Sequence, residues 1–219
     1  MSLGHALARI IAEYPEARLD PPANHPLGSV LRKGAPDEVR RILGADAGLL
    51  VKGSAGRGAH WASVPWIAVL DPAVTTSPTR GYYLVYLVPA AAEAVHLALV
   101  QGTVAALREH GAGAQAALRA SGERLRGVLA DFAGRLPVRE IRLGGGGELP
   151  GGYEAAHILG LTYGIGALGD ERRLRRDLET GLAAYRALKA RGGLAAVPGR
   201  DVRDLPRDDR VTVFGHPKR

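Results

Sequence analysis

Residues 51–70 read VKGSAGRGAHWASVPWIAVL, and how this stretch folds decides the architecture of the chain. Two strand-like runs, Leu49-Leu50-Val51 and Val64 to Leu70, enclose a segment in which Ser54, Gly56 and Gly58 fall at alternate positions. The segment lacks the Gly-Lys-Ser/Thr ending of a phosphate-binding loop and leads into a strand instead of a helix, which excludes that motif. Glycines at such places let the backbone turn with positive φ and approach a ligand closely. A glycine hairpin that binds nothing is the plainer alternative. The chain's two tryptophans, Trp61 and Trp66, stand at the far end of this loop. Tryptophan at a strand end is ordinarily a packing residue.

Further along, Tyr82 to Val88 and Val95 to Val100 are apolar or β-branched runs bounded by turn residues, so the middle of the chain predicts a sheet. Its loops are Gly53 to Ser63, Asp71 to Gly81 and Pro89 to Ala94, and the first two are expected to flank one mouth. Alternation along a strand sets Tyr82 and Tyr86 on one face and Tyr83 on the other. One face has to pack on helices; the other is free to line a pocket. On the N-terminal side, Leu3, Ala6, Leu7, Ile10, Ile11 and Tyr14 recur at helical spacing up to Pro15. Residues 20–35 read as an irregular connector, followed by a short helix with Pro36 and Asp37 in its first turn and Gly44 just past its end. On the C-terminal side, helices are expected over Ala112 to Phe132, Tyr153 to Leu161 and Asp170 to Lys189, with a short strand at Val138 to Leu143 and a four-glycine break at Gly144 to Gly147. Asp170 is the N-cap of the last helix, whose stripe is Leu174, Leu178, Leu182, Tyr185 and Leu188. The fold class is therefore α+β, a twisted mixed or antiparallel sheet of about four to five strands flanked by N- and C-terminal helices. Residues 1–190 form one domain; 191–219 read as a tail or a linker to an effector absent from the chain.

Lys and Arg number 29 against 22 Asp and Glu, a net charge of +7. Such a balance suits a polyanionic partner, because neutralised phosphates release counterions, although many soluble proteins carry it idly. Cysteine is absent, which removes disulfides, thiolate nucleophiles and Cys-based zinc sites together. No run approaches the ~18 apolar residues of a membrane span, so a cytoplasmic protein with no membrane partner is expected. Seven histidines show no metal-ligand spacing. Ser54, His60 and Asp71 make a triad only on paper, since the Gly-x-Ser-x-Gly elbow is missing. The Arg172-Arg173 and Arg175-Arg176 pairs read first as a solvated helix face and second as phosphate contacts.

Taken in order, Val51 to Gly58, Val64-Pro65-Trp66-Ile67-Ala68, Thr75-Thr76, Gly81 to Leu87 and His96 to Gly102 give the chain a family likeness. It resembles the N-terminal DNA-binding domain of McrB-type modification-dependent restriction proteins, over most of residues 1–190. The resemblance implies a domain without catalysis or cofactor that binds duplex DNA and flips a modified base, 5-methylcytosine in the founding type, into a pocket. Cutting, in restriction or antiphage defence, would then come from a fused or partner nuclease or motor. Trp66 matches a pocket aromatic of the family, and Tyr83 and Leu87 match pocket positions on the later strand. Arg57 stands where the founding member has a base-stacking tyrosine, and the loop from Gly58 to Trp66 is one residue longer and gains Trp61. The expected pocket is thus Trp61, Trp66, Tyr82, Tyr83 and Leu87. The expected reading loop is Ser54, Gly56, Arg57, Gly58 and His60, with Lys52 and Arg80 on phosphates. The rival expectation is a protein-interaction or assembly domain of a defence system, in which the Trp and Tyr residues grip a partner.

Overall fold

Residues 50–57 and 60–70 pair as two antiparallel strands in the computed structural model, which describes residues 1–22, 25–44, 48–57, 60–89, 91–144 and 148–196. Strand β1 (Leu50–Arg57) pairs with β2 (His60–Leu70), so most of the expected loop 53–63 is itself strand. Gly58, the side chain of Arg57 and the tail from residue 197 lie outside the described residues. Two glycines shape the hairpin. At Gly56, φ is +120° and a Cβ would run into the His60 carbonyl and the Trp61 backbone. At Gly53, a Cβ would strike the Leu31 carbonyl, so the first helical layer rests directly on the strand backbone.

Strands β3 (Tyr82–Leu87), β4 (Ala94–Gln101) and β5 (His157–Gly164) complete a five-stranded sheet in the order β1-β2-β3-β4-β5. Every neighbouring pair is antiparallel, which settles the mixed-or-antiparallel alternative. The register defines two faces. One carries Ile67, Leu84, Tyr86, Leu97, Leu159, Leu161 and Tyr163; the other carries Trp66, Ala68, Tyr83, Val85, Leu87, His96 and Ala98.

The first face is packed by terminal helices α1 (Leu3–Ala17) and α7 (Glu171–Ala190). Asp170 caps α7 by accepting from the Arg173 N–H (2.9 Å), and the whole expected stripe is buried. Tyr163 donates to Asp177 (2.9 Å), and the Tyr185 hydroxyl accepts from the Asp71 N–H (2.9 Å), so α7 is fastened to β5 and to the end of β2. Packing continues past residue 190, with Leu194 7 % exposed and Arg191 paired to Asp131 (2.7 Å).

Several expected elements differ. The connector 20–35 holds α2 (Pro26–Ser29) and a π-helical stretch, Val30–Gly34, that runs into α3 (Ala35–Leu43); Gly44 ends α3 as expected. Pro15 lies inside the last turn of α1 instead of stopping it. The helix expected over Ala112 to Phe132 is α5 (Ala114–Val128) with a 3-10 turn at Ala130–Phe132, and a helix not expected, α4 (Thr103–His110), precedes it. The helix expected at Tyr153 to Leu161 is the most consequential error: α6 (Glu148–Ala156) stops at Ala156 and β5 begins at His157. The open edge of β4 supplies the hydrogen bonds that turn His-Ile-Leu-Gly-Leu into a strand, a tertiary override of local preference. Val138 contributes only a bridge to Gly160 beyond that edge.

His157 is 2 % exposed and its Nε2–H donates to the Val138 carbonyl (3.0 Å). Burial, only partly offset by that bond, depresses its pKa to about 4. A histidine whose folded pKa lies below its unfolded value of about 6.5 binds fewer protons when folded. Its contribution is whole above the unfolded pKa and is lost as pH falls toward the folded one. Between about pH 7 and about pH 5 the unfolding free energy should drop by about 2 kcal/mol through this residue. Denaturant titrations of His157→Gln should show a flatter pH slope; an unchanged slope would put the proton uptake elsewhere.

Candidate nucleic-acid interface

The hairpin reaches beyond the rest of the sheet. Pairing of β2 with β3 begins at Trp66↔Leu87, so residues 60–64 have β1 as their one strand partner among the described residues. Ser54 and Gly56 lie along this projecting arm, where the Ser54 Oγ accepts from the Gly56 N–H (3.3 Å), and His60 is exposed beside them. The arm is braced from the α1 side. Trp61 donates its Nε1–H to the Asp20 carbonyl (2.6 Å) and stands edge-on to Tyr14 (5.5 Å between centroids) and His25 (5.3 Å). The Tyr14 hydroxyl donates to the Ala62 carbonyl, and burial pushes its pKa up to about 12.

The five expected pocket residues therefore do not share one face. Trp66, Tyr83 and Leu87 do. Tyr82 packs on the opposite face, edge-on to Tyr185 (5.6 Å), and Trp61 turns to α1. Trp61 departs because extra residues of β2 bulge between the Ser54↔Trp66 and Gly56↔Trp61 pairs, which re-aims the side chain. Trp61→Ala should loosen the arm, lowering stability by about 2 kcal/mol and weakening modified and unmodified DNA by similar factors. Thermal melts with a binding titration on both duplexes check this; selective loss on modified DNA would return Trp61 to the pocket.

Nor do the loops at 53–63 and 71–81 flank one mouth. The first turns at the start of β2 and the second follows its end, roughly 30 Å away along an extended strand. Lys52 and Arg80 belong to the second end. Lys52 donates to the Thr76 carbonyl (2.9 Å), and the Arg80 backbone closes on Gly102.

On the second face three rungs cross the sheet. The outer rung is Ser54, Trp66, Leu87, His96 and Thr162; the inner one includes the paired Tyr83 and Val100. Between them lies a rung of small residues, Ala68, Val85, Ala98 and Gly160, in line with Lys52. Small side chains flanked by Trp66, Leu87 and Tyr83 leave a shallow apolar floor the width of the sheet's middle. The floor is not open. Tyr83 and Leu87 have no exposed surface, and Trp66 is 6 % exposed. Helix α6 contacts β2 and β4, and the hydroxyl of its Tyr153, 2 % exposed, is hydrogen-bonded to that of Tyr83. Tyr83 in turn donates to the Pro78 carbonyl (2.9 Å). The second face is therefore covered, against the expectation of an open pocket, because the segment around Tyr153 belongs to a helix that caps the sheet before the chain turns into β5.

Two further residues at this floor escaped the sequence reading. His96 is 6 % exposed, its Nδ1 2.9 Å from Thr162 Oγ1, while its Nε2 is buried with no well-formed hydrogen bond. Burial lowers its pKa, against smaller upward pulls from the Arg142 carbonyl and Glu154. Glu154, next to Tyr153, accepts from the Leu143 N–H (2.7 Å). The signal for His96 was its position, a polar residue in phase with Ala98 and Val100 inside the apolar run from Val95 to Val100. Beside His96, Arg142 is exposed and Glu154 half-buried, so the surroundings of the floor carry both signs.

The lid itself is a weak element. It reads Glu-Leu-Pro-Gly-Gly-Tyr-Glu-Ala-Ala, nine residues with two adjacent glycines in its interior, each less favourable than alanine by about 1 kcal/mol. No helix of the described residues is long and apolar enough to cross a membrane. A family model described as MrcB-like, N-terminal domain matches residues 9–190. No curated protein matches the chain.

Proposed function

The chain belongs to the MrcB-like N-terminal domain family, a family of DNA-binding modules of modification-dependent restriction, and from that premise we propose that it reads a modified base swung out of duplex DNA. In this reading the base lies on the small-residue floor between Trp66 with Leu87 and Tyr83, under Tyr153. The projecting arm, with Ser54, Gly56 and His60, enters the groove beside it. Lys52, at the β1 end of the floor's own rung, and Arg80, beyond the far ends of the strands, are candidate phosphate contacts to either side of the base. Catalysis belongs to a fused or partner domain, a nuclease or a motor.

The observation that carries the reading is the floor: a rung of Ala68, Val85, Ala98 and Gly160 walled by aromatic and aliphatic groups and capped by one weak helix. Because the free chain keeps the floor filled, a base enters only when Tyr153 and part of α6 lift off the floor, after which the ring covers it. Elements that open for ligands are drawn from the least stable parts of a fold, and a helix with two interior glycines fits that rule. Extruding a base costs a few kcal/mol; stacking on Trp66 or Tyr153 returns roughly 1–3 kcal/mol, and burying a methyl group adds on the order of 1 kcal/mol. The sum favours binding only with the help of backbone contacts, so affinity should also fall steeply with salt.

The test is one duplex prepared unmodified and with 5-methylcytosine, 5-hydroxymethylcytosine, N6-methyladenine or a phosphorothioate link, titrated at one salt concentration. At least one base-modified duplex should bind about tenfold tighter than the unmodified one, the equivalent of ~1.4 kcal/mol. Equal affinity for all would remove base reading, and a stable protein complex without DNA affinity would favour the protein-interaction alternative.

A further inference from the structure

Resting on the DNA reading above, we infer that Arg172, Arg175 and Arg176 form a second contact site, which holds backbone phosphates of the duplex whose groove the arm enters. The three side chains are exposed in the first two turns of α7 and have no hydrogen-bond or ion-pair partner among the described residues. At spacings of three and four positions they share one helix face. Arg173, between them in sequence, is engaged elsewhere: its guanidinium stands over the Tyr163 ring (5.9 Å) and 3.5 Å from the Asp177 carboxylate. The acidic residues of the same turns are also held within the fold. Asp170 caps α7, Glu171 accepts from the Gly4 N–H (2.8 Å), and Asp177 accepts from the Tyr163 hydroxyl (2.9 Å). Glu179, a turn further on, is exposed and pairs with none of the three arginines.

Stability does not favour this pattern. Like charges three and four apart on a helix repel, and cations in the first turns oppose the positive end of the helix dipole. An anion bound across the three guanidinium groups removes both penalties.

Position says which anion. Strand β5 ends at Gly164, opposite Ala94 and past the His96↔Thr162 pair, so α7 starts at the end of the sheet from which the arm projects. Helix α1 runs between the two: Gly4 meets Glu171, and the Tyr14 hydroxyl donates to the Ala62 carbonyl in the arm. From Gly4 to Tyr14 the helix rises about 15 Å. A helical turn of DNA is roughly 34 Å long and carries one phosphate charge per ~1.7 Å of axis, so a duplex engaged by the arm runs its phosphates past the arginines. The balance drawn above for an extruded base requires backbone contacts. This site supplies them at the β5 edge, across the sheet from Lys52 on β1.

One duplex, unmodified and with 5-methylcytosine, is titrated by fluorescence anisotropy over a series of salt concentrations. The proteins are the wild type, a combined variant Arg172→Gln, Arg175→Gln, Arg176→Gln, and a control Arg108→Gln, Arg119→Gln, Arg124→Gln. The control removes the same charge from exposed positions on α4 and α5, which follow the opposite end of β4. The α7 variant should flatten the slope of log affinity against log salt by about 2 to 3. It should weaken both duplexes by the same factor, about tenfold or more, and each single change should flatten the slope by about 1. The control should do neither, and the α7 variant should melt no lower than the wild type. An unchanged slope in the α7 variant overturns the site and leaves the arginines to an acidic protein surface. Equal flattening by the control overturns it as an effect of net charge, and a lowered melting temperature overturns it by assigning the arginines to the fold. A wild type that binds neither duplex at low salt removes the DNA reading itself, and this site with it.

Discussion

Gly56→Val should weaken DNA binding about a hundredfold, ~3 kcal/mol, while the domain stays folded. The two effects separate because of where Gly56 lies. Its φ of +120° belongs to a region that a β-branched residue does not enter without strain, and the Cβ would meet the backbone of His60, Trp61 and Ala62. Relief has to come from breaking the pairing of the arm. That pairing lies beyond the end of β3, so all five strands keep their pairing inside Ser54↔Trp66, and the contacts at risk are those of the arm with the α1 side. Thermal melting should therefore show a modest shift, and a gel-shift titration a large one. Undiminished DNA binding by a folded Gly56→Val chain would mean that the arm does not touch DNA.

Tyr153→Ala is expected to have the other large effect. The side chain is 2 % exposed, and removing a buried ring leaves a cavity that destabilises by roughly 3–5 kcal/mol. It also strips the floor of its cover and its second stacking surface. Discrimination between modified and unmodified duplex should vanish, with non-specific binding at low salt retained. Tyr153→Phe, which keeps the ring and loses only the bond to the Tyr83 hydroxyl, should retain discrimination and lose about 1 kcal/mol of stability. Chemical denaturation and paired binding titrations measure both. Should Tyr153→Ala fold and still discriminate, the base lies somewhere other than under α6.

What could be read from the residues alone followed physical legibility. Strands β2 to β4 were visible because each apolar run is bounded by Pro, Gly, Asp or Thr. The last helix was visible from Asp170 and an unbroken stripe, and α3 from Pro36 and Gly44. Strand β5 was not, because Glu154-Ala155-Ala156 carries helical preference to the edge of His157, and only the unpaired side of β4 makes the following residues extended. The candidate site suffered from the same blind spots. Alternation separated Tyr83 from Tyr82 correctly, but Trp61 could not be placed, since a bulge in β2 interrupts the count back from Trp66. Tyr153 and His96 meet the floor through sequence separations of 70 and more residues from Tyr83 or through a register that no local pattern encodes. The separation of Lys52 and Arg80 from the arm, by contrast, follows from hairpin topology once residues 53–63 are drawn as strand.

Trp66 fluorescence in a Trp61→Phe chain reports on the floor directly, because the chain then holds a single indole. Addition of a saturating modified duplex should quench or shift that emission, as a base stacks against the ring, while an equally saturating unmodified duplex should leave it nearly unchanged. Full occupancy by a preferred modified duplex with no change at Trp66 would contradict the placement of the base on this face of the sheet.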